Sequence, residues 1–552
     1  MIQITQIKLP VSHSKEELEH KIRKMLRLDK KQTFTYEIEK KSLDARKKPN
    51  LFYVYSCLVN VANEEKLVKK INTPSVFLAK DKSYHLPECG TKPLTQQPLI
   101  IGAGPAGLFS AYLLVEAGFC PVLFERGKPV EERTKDVEQF WKTGILNTDS
   151  NVQFGEGGAG TFSDGKLNTL VKDPANRNRF VLETFVRFGA PRAILYENKP
   201  HIGTDILCDV IKNMRKYLLE KGATIHFHTC VTDFMIENNS IKGVICGEKQ
   251  FKASIVILAL GHSARDTFER LYALDVPMEA KNFAVGFRVE HPQTMMDEAM
   301  YGLQKTSTLL PPSPYKVTAN FPNGRGAYSF CMCPGGYVVN ASSEENRLVV
   351  NGMSYSKRDS STANSAIIVS VGVEDFVHEI WKNHININAT AYKIETMNSW
   401  KQHPLLGLAY QRILEYKAYT LTKGKIPQQL FGDFKENRIS QAYGNFSSNT
   451  KGITAFANLR GLLNAEIEQT FMDGMQHFGH IIPNFDRNDA ILSGIESRTS
   501  SPVRILRNEN FESVIRGLYP CGEGAGYAGG ITSAAMDGVK VAEAIICKYT
   551  QK

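Results

Sequence analysis

Hydrophobic and polar residues repeat at strand and helix periods through the N-terminal part of the chain. Strand-like runs occupy 2–9, 33–39 and 51–61, and helix-like runs occupy 14–28 and 64–71. The first helix is expected to begin at a capping box formed by Ser14 and Glu17. This order of elements predicts a small α+β domain over residues 1–95, with a ferredoxin-like arrangement as the nearest pattern.

A long apolar run at 99–119 contains a single charge and is long enough to span a bilayer. Its glycines, however, fall at Gly102, Gly104 and Gly107, which is the G-x-G-x-x-G spacing of a dinucleotide fold. A short apolar run precedes these glycines and a helix-spaced pattern follows Pro105, so strand, turn and helix come in the required order. We therefore interpret the run as a phosphate-binding turn and not as a membrane span.

Each glycine of this turn has a physical task. Gly102 makes the tight turn, Gly104 lets the backbone approach a pyrophosphate, and Gly107 permits close packing of helix on strand. The helix N-terminus supplies amides for the negative charge, and the next strand ends in Glu125, where such folds place an acid on the ribose hydroxyls. The predicted cofactor-binding residues of this stretch are Gly102, Ala103, Gly104, Pro105, Ala106, Gly107, Glu125 and Arg126.

A second strand, glycine-rich turn and helix are predicted over 516–545, which a simple NAD fold does not need. This unit resembles the C-terminal flavin motif of FAD oxidoreductases related to glutathione reductase. In that family an acid holds the ribityl chain and a helix N-terminus faces the flavin. The resemblance implies FAD as the cofactor and contacts from Gly522, Glu523, Gly530 and Ile531, although Glu523 stands where the family usually has Asp.

Two further segments fit the same family pattern. An apolar run at 254–260 leads into Gly261, as in the family's middle motif, and Val231 lies where a backbone group commonly meets the adenine. Longer phrases are similar to bacterial flavoproteins described as uncharacterised FAD-dependent dehydrogenases. These phrases occupy 42–48, 150–167, 330–341, 495–505 and 519–538. The resemblance thus covers nearly the whole chain, and it implies a fold and a cofactor but no settled substrate.

The long middle of the chain predicts an inserted region, because the pattern completing the cofactor site returns only near the C-terminus. Runs at 335–341 and 346–352 are strand-like, the run at 365–383 is helix-like, and the proline-containing stretch 87–98 is expected to be a linker. The predicted fold class is α/β, a Rossmann-like FAD-binding domain with an inserted mixed α/β substrate domain and the small N-terminal α+β domain. The predicted divisions are 1–95, 96–280 (FAD-binding, first part), 281–489 (inserted) and 490–552 (FAD-binding, C-terminal part).

Candidate chemistry begins with a glycine-rich stretch at 154–168, whose backbone could pass close to a ring or a phosphate. Within it, Gly158 and Gly160 are predicted cofactor contacts, and a plain surface loop is the alternative. Lys166 is predicted to be a catalytic cation near the flavin, because a positive charge there would stabilise a reduced, anionic ring.

Two arginines near the C-terminal motif, Arg498 and Arg504, are the other predicted catalytic residues. Either could hold an anionic substrate or a cofactor oxygen with two hydrogen bonds. Ordinary ion pairing inside the fold is an equally weighted alternative, since polar clusters mark sites only statistically.

Cys331 and Cys333 could form a redox dithiol or could be core thiols sharing one face of a strand. At i and i+2 of a strand, their Cα atoms would lie roughly 6.6 Å apart, close to the upper limit for a disulfide. Core thiols are favoured, because reactivity requires an electropositive setting that the sequence does not display. No metal site and no structural disulfide are expected from the spacing of the ten cysteines.

Charge is uneven along the chain, whose net charge is +10. Residues 1–50 hold 13 Lys and Arg against 7 Asp and Glu, so this region could attract nucleic acid or an acidic electron-carrier protein. A solvated face is the favoured interpretation, because acidic residues are interspersed. No signal-peptide pattern begins the sequence, so a cytoplasmic location without membrane attachment is expected.

These observations favour an FAD-dependent oxidoreductase that carries a noncovalent flavin and acts on a small molecule entering between the flavin and the inserted region. No G-x-G-x-x-G lies outside the stretches already assigned to the flavin site, so NAD(P)H is expected to bind transiently or not at all. An RNA-modifying flavoprotein, which the basic N-terminus permits, and a non-enzymatic electron-relay protein are the alternatives. Both rank lower, because neither explains a large inserted region facing a flavin.

Overall fold

The computed structural model describes residues 1–81, 83–302, 309–382 and 401–551, and it is a mixed α/β structure, as expected. The N-terminal elements are β1 (Ile2–Pro10), α1 (Lys15–Met25), β2 (Phe34–Asp44), β3 (Phe52–Val61), α2 (Glu64–Ile71) and β4 (Val76–Leu78). Their antiparallel sheet has the order β2–β3–β1–β4, and this β-α-β-β-α-β succession is that of a ferredoxin-like unit. Helix α1 begins at the predicted capping box, in which the amide of Glu17 donates to the Ser14 hydroxyl and the amide of Ser14 donates to the Glu17 carboxylate.

The middle of the chain alternates strands and helices. Its elements are β5 (Lys92–Leu94), β6 (Leu99–Ile101), α3 (Pro105–Glu116), β7 (Val122–Phe124), α4 (Val130–Thr143), α5 (Arg177–Arg187), α6 (Thr204–Glu220), β8 (Thr224–His226), β9 (Asp233–Glu237), β10 (Ser240–Cys246), β11 (Lys249–Lys252), β12 (Val256–Leu258), α7 (Arg265–Ala273), β13 (Met278–Ala280), β14 (Phe283–Pro292) and α8 (Gln293–Tyr301). Short 3₁₀ turns lie at Ala159–Phe162 and Arg192–Leu195.

The C-terminal part of the chain also contains both strands and helices. Its elements are β15 (Thr318–Asn320), β16 (Gly326–Cys333), β17 (Tyr337–Asn340), β18 (Val350–Met353), β19 (Thr362–Val371), α9 (Val373–Lys382), α10 (Leu406–Thr422), β20 (Ile426–Leu430), α11 (Phe431–Lys435), β21 (Thr454–Phe456), α12 (Ala465–Ile481), β22 (Ile491–Glu496), β23 (Val503–Ile505), β24 (Leu518–Pro520), α13 (Ile531–Lys548) and β25 (Tyr549–Gln551).

Two large sheets organise these elements. One has five parallel strands in the order β24–β12–β6–β7–β8, so a strand from near the C-terminus lies two places from the strand that precedes the glycine turn. The other has seven strands in the order β15–β16–β19–β14–β22–β20–β21, all pairs antiparallel except β20 with β21. Each sheet has its own buried apolar core. The divisions at residues 95, 280 and 489 stay predictions.

Two predictions of local structure differ from the observed fold. The run at 365–383 was expected to be helical, but its first part belongs to β19, between β14 and β16 in the centre of the seven-stranded sheet. In a continuous apolar run, periodicity does not distinguish a buried strand from a buried helix. Pairing with the neighbouring strands determines that this segment is a strand. Helix α9 accounts for the rest up to Lys382, and Asn383 lies outside the described residues.

The second difference concerns the expected linker at 87–98. It contains β5, which pairs in parallel with β25 at the C-terminal end of the chain. The amide of Gly90 also donates to the carbonyl of Ile546 at 2.8 Å. This segment is therefore held against the C-terminal helix, a long-range contact that composition does not reveal.

The apolar helix α3 is buried by protein on all sides, which explains its uniform hydrophobicity. It packs against α13, and an added Cβ at Gly538 would lie 2.2 Å from the main-chain oxygen of Ala106. At the same crossing the Ser110 hydroxyl donates to the oxygens of Ala106 (2.8 Å) and Gly538 (3.1 Å). Across the described ranges, none of the helices has the length and apolar character that crossing a membrane requires.

We predict that Gly538→Ala lowers the free energy of unfolding by about 1 to 2 kcal/mol. Overpacking costs roughly 1 to 3 kcal/mol, which exceeds the gain of up to about 1 kcal/mol from replacing a helical glycine. Chemical denaturation measures the change, with Lys540→Ala in the same helix as the control. A Gly538→Ala protein more stable than the wild type would show that the two helices do not approach this closely.

Candidate functional site

A cavity of about 360 Å³ lies between the two large sheets. Its first wall comes from the carboxyl ends of β6, β7 and β12 and from the segments that follow them. The residues opposite the first wall form the second wall, and they are Phe330, Cys331, Asn351 and Glu496. The loop at 153–168 and the start of α13 also border the cavity. Ligands of open parallel sheets bind at this edge, beyond the carboxyl ends of the strands.

The glycine turn at the first wall is fixed by close packing. Gly102 has a φ of 102°, and an added Cβ there would lie 2.5 Å from the oxygen of Ala259. At Gly107 an added Cβ would lie 1.9 Å from the oxygen of Gly102. Gly104 differs, because its nearest neighbour would be the Cα of Gly158 at 3.8 Å. The protein itself thus requires Gly102 and Gly107, while the backbone at Gly104 borders space that a ligand can use.

Glu125, at the end of β7, joins three segments of the first wall. Its buried carboxylate accepts hydrogen bonds from the amides of Ala103 (2.9 Å), Gly127 (2.9 Å) and Gly155 (3.0 Å). Because it also lines the cavity, it can accept a further hydrogen bond from a ribose hydroxyl. One acid therefore both shapes the turn and faces the ligand space.

The glycine-rich loop is held by a residue that the sequence analysis missed. Arg133 of α4 is fully buried and donates to the main-chain oxygens of Asn151 (2.8 Å), Val152 (2.9 Å), Glu156 (2.7 Å) and Gly158 (2.9 Å), with a longer bond to that of Gly155 (3.3 Å). Burial lowers the pKa of Arg133 to about 10, which leaves it charged at neutral pH. A signal existed in the sequence, since Arg133 falls on the apolar stripe of α4 that buries Val130, Val137 and Phe140.

The C-terminal motif borders the same cavity. The amide of Gly522 donates to a carboxylate oxygen of Asp537 (2.8 Å), and the amide of Gly530 donates to the Glu523 carboxylate (3.2 Å). Burial raises the pKa of Glu523 to about 7, while the Gly530 amide and the charge of Lys281 act against this effect. Glu523 is thus a cavity carboxyl able to carry a proton near neutral pH.

Of the predicted catalytic residues, Lys166 and Arg498 line the cavity. The Lys166 ammonium donates to the main-chain oxygen of Met332 and lies 3.4 Å from the Asp164 carboxylate. Arg504 is outside the cavity, on β23, where it forms a half-exposed ion pair with Glu279 at 3.3 Å.

The Arg498 guanidinium forms hydrogen bonds with other protein groups. It donates twice to Glu415 (2.8 and 2.7 Å) and also to the hydroxyls of Ser263 (2.9 Å) and Ser343 (2.6 Å). Glu415 also accepts from Arg265, and although burial raises the pKa of Glu415, these two arginines hold it well below its usual range. Ordinary ion pairing, the alternative named for both arginines, is the arrangement that the structure shows.

The remaining predicted cofactor residues divide into two groups. Most line the cavity, namely Gly102, Gly104, Pro105, Ala106, Glu125, Arg126, Gly158, Gly160, Val231, Gly261, Glu523, Gly530 and Ile531. Ala103, Gly107 and Gly522 lie behind this surface and shape it through the contacts described above. Their roles toward a cofactor stay predictions.

The backbone and the hydrogen-bond donors along the cavity are of the kind that a flavin dinucleotide needs. An added Cβ at Gly261, Gly529 or Gly530 would meet nothing within 4 Å, so the backbone there borders open space. Helices α3 and α13 both begin at the cavity, and helix N-termini favour anionic groups such as a pyrophosphate. Backbone atoms of these segments thus border the ligand space, and a carboxylate lies near the start of each helix.

At the second wall, the two cysteines do not share the face of a regular strand, contrary to the core-thiol interpretation. Strand β16 shifts register between Phe330 and Cys333, and Cys331 has a φ of 44°. As a result Cys331 lines the cavity, whereas Cys333 is fully buried. A bulge inserts an extra residue and changes the direction of the side chains, which a sequence pattern of period two does not reveal.

Comparison with known proteins shows the family of this chain. The family described as "FAD-dependent protein, C-terminal domain-like" matches residues 282–499, and a domain of unknown function matches residues 1–60. An uncharacterised protein from Clostridium beijerinckii is 41% identical over 552 residues, which covers 99% of each chain.

Solved structures of lower similarity also match the chain. Quinol fumarate reductase of E. coli is 11% identical with a TM-score of 0.35, covering 83% of this chain and 70% of its own. Glycine oxidase of Bacillus cereus is 12% identical with a TM-score of 0.31, covering 82% and 95%. Similarity at this level says nothing about substrate.

We predict that Arg133→Met lowers the free energy of unfolding by at least about 3 kcal/mol, since several buried carbonyl groups lose a charged donor. The loop they belong to should then lose its position, so added FAD should be retained less well. Denaturation and FAD retention on gel filtration measure both effects, with Lys135→Met on the exposed face of α4 as the control. Equal stability and equal retention in the two variants would contradict the role assigned to Arg133.

Proposed function

We propose that this chain, which belongs to the same protein family as the Clostridium beijerinckii protein, is an FAD-dependent oxidoreductase acting on a small molecule. One observation carries the proposal. A single cavity joins the glycine turn, the acid at the end of β7, the C-terminal glycine motif and the second wall. The family match over residues 282–499, described as FAD-dependent, supports the same cofactor.

The residues that would hold FAD follow from the cavity wall. The amides at the start of α3, from Gly104 onward, would bind the pyrophosphate, and Glu125 would accept from the ribose hydroxyls. Val231 would meet the adenine, and Glu523 would meet the ribityl chain. The loop at 158–160 and the start of α13 would then flank the ring.

A bound flavin supplies hydride or electron transfer, and the protein supplies binding, orientation and charge. Lys166 places a positive charge at the cavity, where it would stabilise negative charge on a reduced ring. Glu496 of the second wall holds an ion pair with Arg288 at 2.8 Å, and burial raises the pKa of Glu496 despite that arginine. Glu496 is therefore a cavity carboxyl that can hold or release a proton beside a substrate.

The substrate would enter between the two walls and contact Phe330 and Asn351 as well. NAD(P)H as a transient electron donor, and an acidic carrier protein at the basic N-terminal region, are proposals for the electron partner. A cytoplasmic location is part of the same proposal.

We predict that Gly104→Val abolishes FAD retention without unfolding the protein. An added Cβ meets no close protein neighbour, since the nearest atom is the Cα of Gly158 at 3.8 Å, and the two methyl groups beyond it would occupy the space of the pyrophosphate. Visible absorbance after gel filtration with added FAD measures retention, and Gly104→Ala should give an intermediate loss. Absence of bound flavin in the wild type would refute the cofactor, and full retention by Gly104→Val would refute its placement.

We further predict that NADH or NADPH, added anaerobically to the FAD-loaded protein, bleaches the visible flavin band. The expected loss of absorbance follows from hydride transfer to the flavin. Dithionite provides the positive control for complete reduction. A band that dithionite bleaches and neither nucleotide changes would exclude the nicotinamide donor and favour a carrier protein or the substrate itself.

A further inference from the structure

Two thiols lie at the second wall of the cavity and have no part in the proposed FAD site. Cys331 lines the cavity, and Cys333, two residues further along the chain, is fully buried. The Cys333 thiol donates to the main-chain oxygen of Cys331 at 3.2 Å. Both thiols are free, so neither is consumed by a structural disulfide.

The backbone bulge separates the environments of the two thiols. Cys331 lies in the left-handed region, with a φ of 44°, which is uncommon for a residue with a Cβ. Cys333 packs closely against Gly352, where an added Cβ would lie 2.7 Å from its sulfur. Strained backbone of this kind clusters at functional sites, and here it accompanies the exposure of one thiol to the cavity.

Positive charge lies close to the exposed thiol. Arg288 donates to the main-chain oxygen of Cys331 at 2.8 Å and to the sulfur of Cys333 at 3.9 Å. Lys166 is bound to the oxygen of Met332, between the two cysteines. Reactive cysteines occur in electropositive, partly accessible settings of this kind.

The groups around the thiol act on its pKa in both directions. A hydrogen bond from the Cys333 thiol, which can be given to the Cys331 sulfur in place of the main-chain oxygen, lowers the pKa of Cys331 well below its usual range, and the charges of Arg288 and Lys166 act in the same direction. Burial and the negative charge of Asp164 act against this shift.

Two further cavity carboxyls interact electrostatically with Cys331. The pKa values of Glu496 and Glu523 are raised, first by burial and in part by the negative charge of Cys331. Burial raises the pKa of Cys333, so its pKa shifts in the opposite direction to that of Cys331. The surroundings thus favour the thiolate at Cys331, which lines the cavity, and the protonated thiol at Cys333.

We propose that Cys331 and Cys333 form a thiol–disulfide exchange site that accepts a small disulfide in the cavity. The Cys331 thiolate attacks one sulfur of the substrate, forming a mixed disulfide and releasing the first substrate thiolate. Cys333, on losing its proton, attacks the Cys331 sulfur, which forms the Cys331–Cys333 bond and releases the second substrate thiolate. The pair loses two electrons, and the substrate disulfide gains them as two thiols.

The exchange itself requires no flavin. Only the return of the pair to the dithiol state rests on the proposed function, through two electrons received from reduced FAD in the same cavity. The two claims can therefore fail separately, and the exchange is measured without any nicotinamide or other reductant.

The test uses bis(2-hydroxyethyl) disulfide, a small neutral probe, and mass spectrometry of the tryptic peptide 326–347, which carries both thiols and no other cysteine. In the wild type we expect an internal disulfide, seen as a peptide lighter by two hydrogen atoms. Cys333→Ala should stop at the mixed disulfide on Cys331, and Cys331→Ala should leave Cys333 unmodified. Cys89→Ser, which removes an exposed thiol elsewhere, should behave as the wild type does.

The pH profile of the same reaction gives a second measurement. A thiol of pKa about 8.5 reacts roughly 100-fold faster at pH 8 than at pH 6, because the thiolate fraction rises with pH. Because the pKa of Cys331 is lowered, its rate should rise much less than this between pH 6 and pH 8. Cys333→Ala should move the profile to higher pH, because it removes the hydrogen bond that favours the thiolate.

The outcomes separate the possibilities. An unreacted peptide in the folded wild type, a mixed disulfide that persists there, or a rate that follows an ordinary thiol would each overturn the exchange site. An internal disulfide formed in a protein that retains no FAD would support the exchange site and refute the proposed function.

Discussion

The cavity depends on the buried guanidinium of Arg133. A glycine-rich loop has little side-chain packing to hold it, so its backbone must be fixed by hydrogen bonds. Arg133 donates hydrogen bonds to carbonyl groups of this loop, while Glu125 accepts a hydrogen bond from the amide of Gly155. Two buried charges of opposite sign thereby place a flexible segment against the glycine turn. Removing either would leave several buried backbone groups without partners, which is costly in a low-dielectric interior.

From this constraint follows a site assembled from distant parts of the sequence. The parallel sheet places β24 beside β12, so the glycine motif near the C-terminus meets the turn after β6. The seven-stranded sheet supplies Phe330, Cys331 and Glu496 across the gap. One wall is rich in backbone amides and small residues, and the other carries titratable side chains. That division matches the separate needs of holding a dinucleotide and of reacting at its end.

Much of the first wall could be predicted from sequence, because its signals are local. The spacing from Gly102 to Gly107 and the acid at Glu125 lie close together in the sequence. The second wall could not be predicted in the same way. The bulge at Cys331 depends on the pairing of β16 with β19, and the partners of Arg498 come from α10 and other remote segments. Periodicity also misassigned the strand β19, because burial on both faces removes the alternation that distinguishes a strand.

The central claim is that one cavity holds FAD with its ring between the two walls. A crystal structure of the protein with FAD tests this most directly. The account predicts electron density for the dinucleotide from Val231, past the amides at Gly104, to a ring beside Lys166 and Cys331. Density for FAD at another place, or an empty cavity at saturating FAD, would contradict it.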